Sequence, residues 1–97
     1  MTRISIFGKA SCAKCSTTKH KLSHFLSQWE MEKQVNMVFH DVDTVDGRAE
    51  GAFYDVNQIP LTVVEKDGRH VARWDGKVPN SQEVRVVLEE GANVAAN

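Results

Sequence analysis

The feature that most constrains this chain is a long segment without glycine or proline. It runs from Ala13 to about Lys33. On one side stands the short β-branched run RISIF (3–7), and on the other VNMVFHDVD (35–43). Such a segment reads as a helix, and the two runs read as strands. A connection of this length between strands permits a parallel crossover, which is right-handed in nearly every known case. The chain thus commits early to a β-α-β unit. At ~100° per residue, Thr18, Leu22, Phe25, Leu26 and Trp29 fall on one stripe, with Cys15 at its edge. His20 and His24 fall on the opposite, polar face.

The remaining chain completes the pattern. TVDGRAEGAFYDVNQ (44–58) reads as a loop plus a short helix, and IPLTVVE (59–65) as a strand entered through Pro60. The Asp-Gly of KDGR (66–69) is a strong hairpin signal, returning the chain through RHVARW (69–74). After the loop DGKVPN (75–80), a final helix is predicted from Ser81 to about Glu90. Val84, Val87 and Leu88 share one of its faces, and Asn80 is its N-cap. GANVAAN (91–97) reads as a flexible C-terminal tail beyond a glycine stop. The expectation is one α/β domain over residues 1–90, ordered β-α-β-α-β-β-α. Its mixed four-stranded sheet carries helices on both faces.

With 97 residues the chain has room for one modest core. Its formal net charge of -1 gives no reason to expect nucleic acid or an anionic membrane as partner. No apolar run approaches the ~18 residues of a membrane span, and the N-terminus lacks a signal-type segment. These features lead to the expectation of a cytoplasmic protein. In that compartment paired cysteines suit catalysis or metal binding better than a structural staple.

The only two cysteines are Cys12 and Cys15, in GKASCAKC (8–15). Cys12 follows the first strand and opens the long helix. Free N–H groups and the helix dipole there stabilise a thiolate. Lys14, and Lys9 three residues before Cys12, add positive charge. Cys15, one turn later, can reach Cys12 but faces the core. An exposed nucleophile followed by a buried resolving thiol suits disulfide exchange. The bland alternative is two inert buried cysteines. Zinc held by Cys12, Cys15, His20 and His24 within one chain is disfavoured, because the histidines point away from the sulfurs. A metal or iron-sulfur cluster held between two chains through the dithiol is the alternative reading from another class. His40 and His70 have no ligand partner in sequence and read as structural or exposed.

Pro60 allows two readings, an ordinary strand-entry proline or a cis bond that exposes the backbone of Ile59 to an extended peptide.

Taken together, these segments resemble the thioredoxin-like superfamily from Thr2 to about Glu90, with the nearest likeness to glutaredoxins and glutaredoxin-like redoxins. FGKASCAKC is similar to the glutaredoxin pattern with a lysine three residues before C-P-Y-C, matched by Lys9, Cys12 and Cys15. DVNQIPLTVVEKDGR resembles the segment carrying a cis-proline and the hairpin after it, which implies that Pro60 is cis and that Ile59 pairs with substrate. RWDGKVPNSQEV resembles the W-S-G-F-R-P segment of glutaredoxin-like hydrogen donors to ribonucleotide reductase, through Trp74, Gly76 and Pro79. There are departures. Ser11 stands where thioredoxins have tryptophan, and Ala13-Lys14 where they have Gly-Pro. Ile6 takes the place of their buried aspartate, while Asn80 and Ser81 take the place of a glutathione-binding acid.

The resemblance implies a thiol–disulfide oxidoreductase, catalytic through Cys12 and Cys15. Lys9 and Lys14 would favour the thiolate, and Ile59, Pro60 and Gly76 would shape the substrate groove. The expected partners are disulfide-containing proteins, or glutathione mixed disulfides, and either glutathione or a thioredoxin reductase as electron source. The chain is expected to act as a monomer, with no metal and no cofactor.

Overall fold

Seven elements follow one another along the chain: β1 (Thr2–Gly8), α1 (Ala13–Gln28), β2 (Val35–Asp41), α2 (Val45–Phe53), β3 (Leu61–Lys66), β4 (Arg69–Asp75) and α3 (Ser81–Ala96). The computed structural model describes the backbone of residues 1–96 and the side chains of residues 1–89. The strand order is β2-β1-β3-β4. β1 pairs parallel with β2 and antiparallel with β3, and β3 pairs antiparallel with β4. This is the mixed four-stranded sheet expected from the sequence.

β1 is central, so its alternate side chains feed two different layers. Ile4 and Ile6 join Leu22 and Leu26 of α1, Val64 and Trp74 of the sheet, and Val84 and Leu88 of α3 in the larger core. Phe7, with Leu61 and Val63, forms a smaller core on the opposite face, closed by Val42, Tyr54 and Val56. Full burial of one such aliphatic side chain contributes roughly 1.5–3 kcal/mol. The larger cluster therefore supplies most of the stability.

The turns are built from specific residues. Asp67 and Gly68 take φ of 53° and 80°, the left-handed pair that a two-residue hairpin needs. The N-terminal ammonium of Met1 pairs with the Asp67 carboxylate. Asn80 caps α3 as the sequence suggests, its Oδ1 accepting from the amides of Gln82 (2.8 Å) and Glu83 (3.3 Å).

Two boundaries differ from the sequence reading. α1 ends at Gln28 rather than near Lys33. Met31 N–H donates to Leu26 C=O and Glu30 N–H to Ser27 C=O, with Glu30 at φ 56°. This is a Schellman closure with glutamate at the position usually held by glycine, so no glycine marked it in the sequence. α3 continues through Gly91 to Ala96 instead of ending at Glu90. A glycine inside a helix costs about 1 kcal/mol but does not oblige the helix to stop. Asn97 and the side chains of residues 90–96 lie outside the described residues, and so does the test of whether residues 91–97 are flexible. Among the described residues, no helix is long and apolar enough to cross a membrane.

Candidate active site

The site lies where β1 runs out. Gly8 pairs with Asp41 of β2, and Phe7 pairs with Leu61 of β3. Continuing the antiparallel register by one step sets Pro60 beside Gly8. Gly76, just after β4, donates its N–H to Pro60 C=O at 2.8 Å. The C-terminal end of β1, the start of β3 and the exit of β4 thus meet along one end of the sheet.

Four residues after Gly8 the chain enters α1 at Cys12, which is the N-cap of that helix. Its amide donates to Lys9 C=O at 3.2 Å, closing the turn between strand and helix. Its Sγ accepts from the backbone N–H of Cys15 at 3.1 Å, as a capping oxygen does elsewhere. The two cysteines form a disulfide with a Cα–Cα separation of 5.2 Å. Cys12 is partly exposed, and Cys15 is fully buried. The pair is therefore asymmetric: one sulfur meets solvent at a helix N-terminus, and the other faces the core.

Cys15 is held by a feature that the sequence reading did not single out. A Cβ on Gly8 would lie 2.6 Å from Cys15 Sγ and 2.7 Å from its Cβ. Glycine is therefore required at the end of β1 for the dithiol to seat against the sheet. The available signal was a lone glycine between an apolar strand and the cysteines. Thr18, one turn beyond Cys15 and fully buried, satisfies its hydroxyl by donating to Lys14 C=O at 2.8 Å.

The other predicted residues fall into two groups. Lys9, Ile59, Pro60 and Gly76 lie along the same sheet end. Lys9 sits 3.7 Å from Asp43 in a loose ion pair. It also lines a cavity of about 530 Å³ together with Val42, Arg48, Ala52, Val56 and Ile59. The Ile59–Pro60 peptide bond is cis. Pro60 is buried and Ile59 half-buried, and the Ile59 main chain makes no hydrogen bond among the described residues. Lys14 stands apart from them, exposed on the first turn of α1.

The remaining ionisable candidates do not join the dithiol. His20 and His24 are exposed on α1, as is His70 on β4. His40 lies on the α2 side of the sheet, its ring stacked on Phe7 at 4.6 Å. Burial holds its pKa below the usual histidine value, opposed by Glu50 and assisted by Arg3. Ile6, at the position of the missing acid, is a fully buried core residue. Among the described residues, no three His, Cys, Asp or Glu side chains converge as a metal site.

No family model matches the chain, and a search of curated proteins returned no match. Solved structures do match. The thioredoxin of Fasciola hepatica superposes with a TM-score of 0.72 at 22% identity, over 92% of this chain and 79% of its own. Thioredoxin 1 of Thermosipho africanus gives 0.74 at 15% identity, over 98% and 99%. Mitochondrial thioredoxin 3 of Saccharomyces cerevisiae, in its oxidised form, gives 0.71 at 17% identity, over 91% and 77%. At such identities the likeness establishes the fold. The chain has the thioredoxin-like fold over almost its whole length, with a CxxC disulfide at the start of its first helix.

Proposed function

We propose that the protein is a glutaredoxin-like thiol–disulfide oxidoreductase that reduces disulfides of protein substrates or glutathione mixed disulfides in the cytoplasm. The observation that carries this reading is the asymmetry of the pair. Cys12 Sγ caps α1 and accepts the Cys15 N–H, while Cys15 is buried against Gly8. In the reduced protein, a hydrogen bond donated to Cys12 and the helix dipole both favour its thiolate. Lys9 and Lys14 add positive charge on either side of it in sequence.

The exchange has two displacements. The Cys12 thiolate attacks one sulfur of the substrate disulfide. A Cys12–substrate bond forms, the substrate S–S bond breaks, and the first substrate thiolate leaves. Cys15 then gives its proton to that departing thiolate and attacks Cys12 Sγ. The mixed disulfide breaks, the second substrate thiolate leaves and takes a proton from water, and Cys12–Cys15 is left oxidised. The substrate gains two electrons and the protein loses two. Ile59, whose main chain has no partner among the described residues, would pair with the extended substrate, with Pro60 and Gly76 beside it. Glutathione or a thioredoxin reductase would return the dithiol to its reduced state.

The test is substitution of each cysteine. Cys12→Ser should abolish reduction of insulin disulfides, and Cys15→Ser should accumulate a mixed disulfide visible by mass spectrometry. Turnover that survives in Cys12→Ser overturns the reading. Reoxidised wild-type protein offered glutathione in one assay and a thioredoxin reductase in another identifies the electron source.

A further inference from the structure

We propose that Gln58 determines which disulfides the groove accepts, an inference that rests on the exchange reading above. The groove has two unlike ends. Ile59 lines the cavity at one end, and the residue before it, Gln58, packs against Gly76 at the other. Toward α2 the surface opens into the cavity of about 530 Å³ lined by Val42, Ala52 and Val56 with Lys9 and Arg48. That volume takes a large substrate side chain.

Toward β4 the groove is obstructed. Gly76 takes φ of 70° and is fixed by its bond to Pro60 C=O. A Cβ on Gly76 would lie 3.1 Å from Gln58 Cβ and 3.2 Å from its Cδ, and would overlap its Oε1. The Gln58 side chain therefore lies flat along the Gly76 backbone, in the space where a side chain at position 76 would stand. Gln58 is exposed, and its carboxamide makes no hydrogen bond among the described residues. It covers the Gly76 backbone, which borders Pro60, and it presents a polar amide there in place of open backbone.

A substrate strand pairing with Ile59 meets room on one side and Gln58 on the other. The groove then favours disulfides whose flanking residue on the Gly76 side is small or polar. A disulfide flanked by glycine or serine meets that condition, and a disulfide flanked on both sides by large apolar residues does not. Gln58 is expected to act on selectivity, through the space it fills beside Gly76.

The experiment uses two peptide disulfides, one with glycine and one with tryptophan on both sides of the cysteine. Prereduced protein is mixed with each, and kcat/KM is compared as a tryptophan-to-glycine ratio. Gln58→Gly should raise this ratio about tenfold, the usual worth of a small steric change in a binding pocket. Gln58→Ser keeps a polar group on an ordinary backbone and should raise the ratio by less, so the outcome does not depend on one variant folding. A ratio unchanged in the folded variants overturns the role of Gln58 and leaves the exchange reading standing. If the wild-type protein reduces neither peptide, the exchange reading itself falls, and this inference with it.

Discussion

The two faces of the sheet are built to different standards. On the α1–α3 face, Ile4, Ile6, Leu22, Leu26, Val64, Val84 and Leu88 close an apolar layer between two long helices and the strands, in which the buried Thr62 Oγ1, paired across from Ile6, has no hydrogen bond among the described residues. On the α2 face, Phe7, Leu61 and Val63 are covered by Val42, Tyr54 and Val56, which flank the nine-residue α2. The rest of that face is polar. Tyr54 OH donates to Glu65 at 2.7 Å, and Arg73 Nη1 donates to Tyr54 C=O at 3.0 Å. Arg3 Nε, Ser5 Oγ and His40 Nε2 are buried there without partners among the described residues. α2 also leaves Val45 and Phe53 some four-fifths exposed on its outer side. The contrast teaches where function can be accommodated. The dithiol is anchored from the well-packed face, through Cys15 and Gly8. The cavity and the loop entering β3 at Ile59 belong to the thinly covered one.

The largest expected effect separates the faces by packing. Leu22→Ala should cost about 3 kcal/mol in urea unfolding, because the site is fully buried between helix and sheet. Val56→Ala, on a half-buried residue beside Gly51, should cost under about 1 kcal/mol. The two substitutions remove different numbers of carbons, so the costs are compared per carbon removed. Equal costs per carbon would mean that the α2 face is as tightly packed as the other.

Much of this contrast was legible in the sequence, and the reasons differ by element. The apolar stripe through Thr18, Leu22 and Leu26 follows helical period, so the thick face could be read directly. The Asp67-Gly68 turn and the Asn80 cap are local chemistry, and local chemistry is what sequence encodes best. The end of α1 was missed because Glu30 adopts a left-handed conformation more typical of glycine. Within the site, the positions of Cys12 and Cys15 followed from a strand running into a helix. The need for glycine at Gly8 did not, because it arises from a contact between residues seven apart across a strand–helix turn. Gln58 was invisible for a stronger reason. Its neighbour, Gly76, is distant in sequence and meets it only once the β3–β4 hairpin has formed.

A smaller effect tests the polar character of the α2 face through pH. Burial keeps the pKa of folded His40 below the unfolded value near 6.5, with Glu50 pulling upward and Arg3 downward. The unfolded chain therefore binds a proton at His40 before the folded protein does. This contribution to stability is complete above the unfolded pKa. It falls as the pH drops below 6.5 and is lost once the pH passes the lowered folded value. His40→Phe keeps an aromatic ring against Phe7 and removes the titrating group. Unfolding midpoints measured from pH 8 to pH 5 should fall more steeply for the wild-type protein than for this variant. Parallel curves would show that the ring pays no burial penalty and that this side of the sheet is wetter than its packing indicates.

The smallest effect isolates a single orphaned hydroxyl. Ser5 sits on β1 between Arg3 and Phe7 on the α2 face, fully buried, with no partner for its Oγ among the described residues. A buried hydroxyl without a hydrogen bond loses its hydration and gains nothing in return. Ser5→Ala removes that group and opens a space of only one oxygen atom. Stability should stay level or rise by up to about 1 kcal/mol, read as the urea midpoint at constant slope. A loss of comparable size would instead mean that the hydroxyl has a partner in solution. The nearest reason would be an ordered water linking it to the polar groups of the same face, Arg3 and His40. In that case the α2 face would be held together by a hydrated network, and the contrast with the apolar layer on the other face would be sharper still.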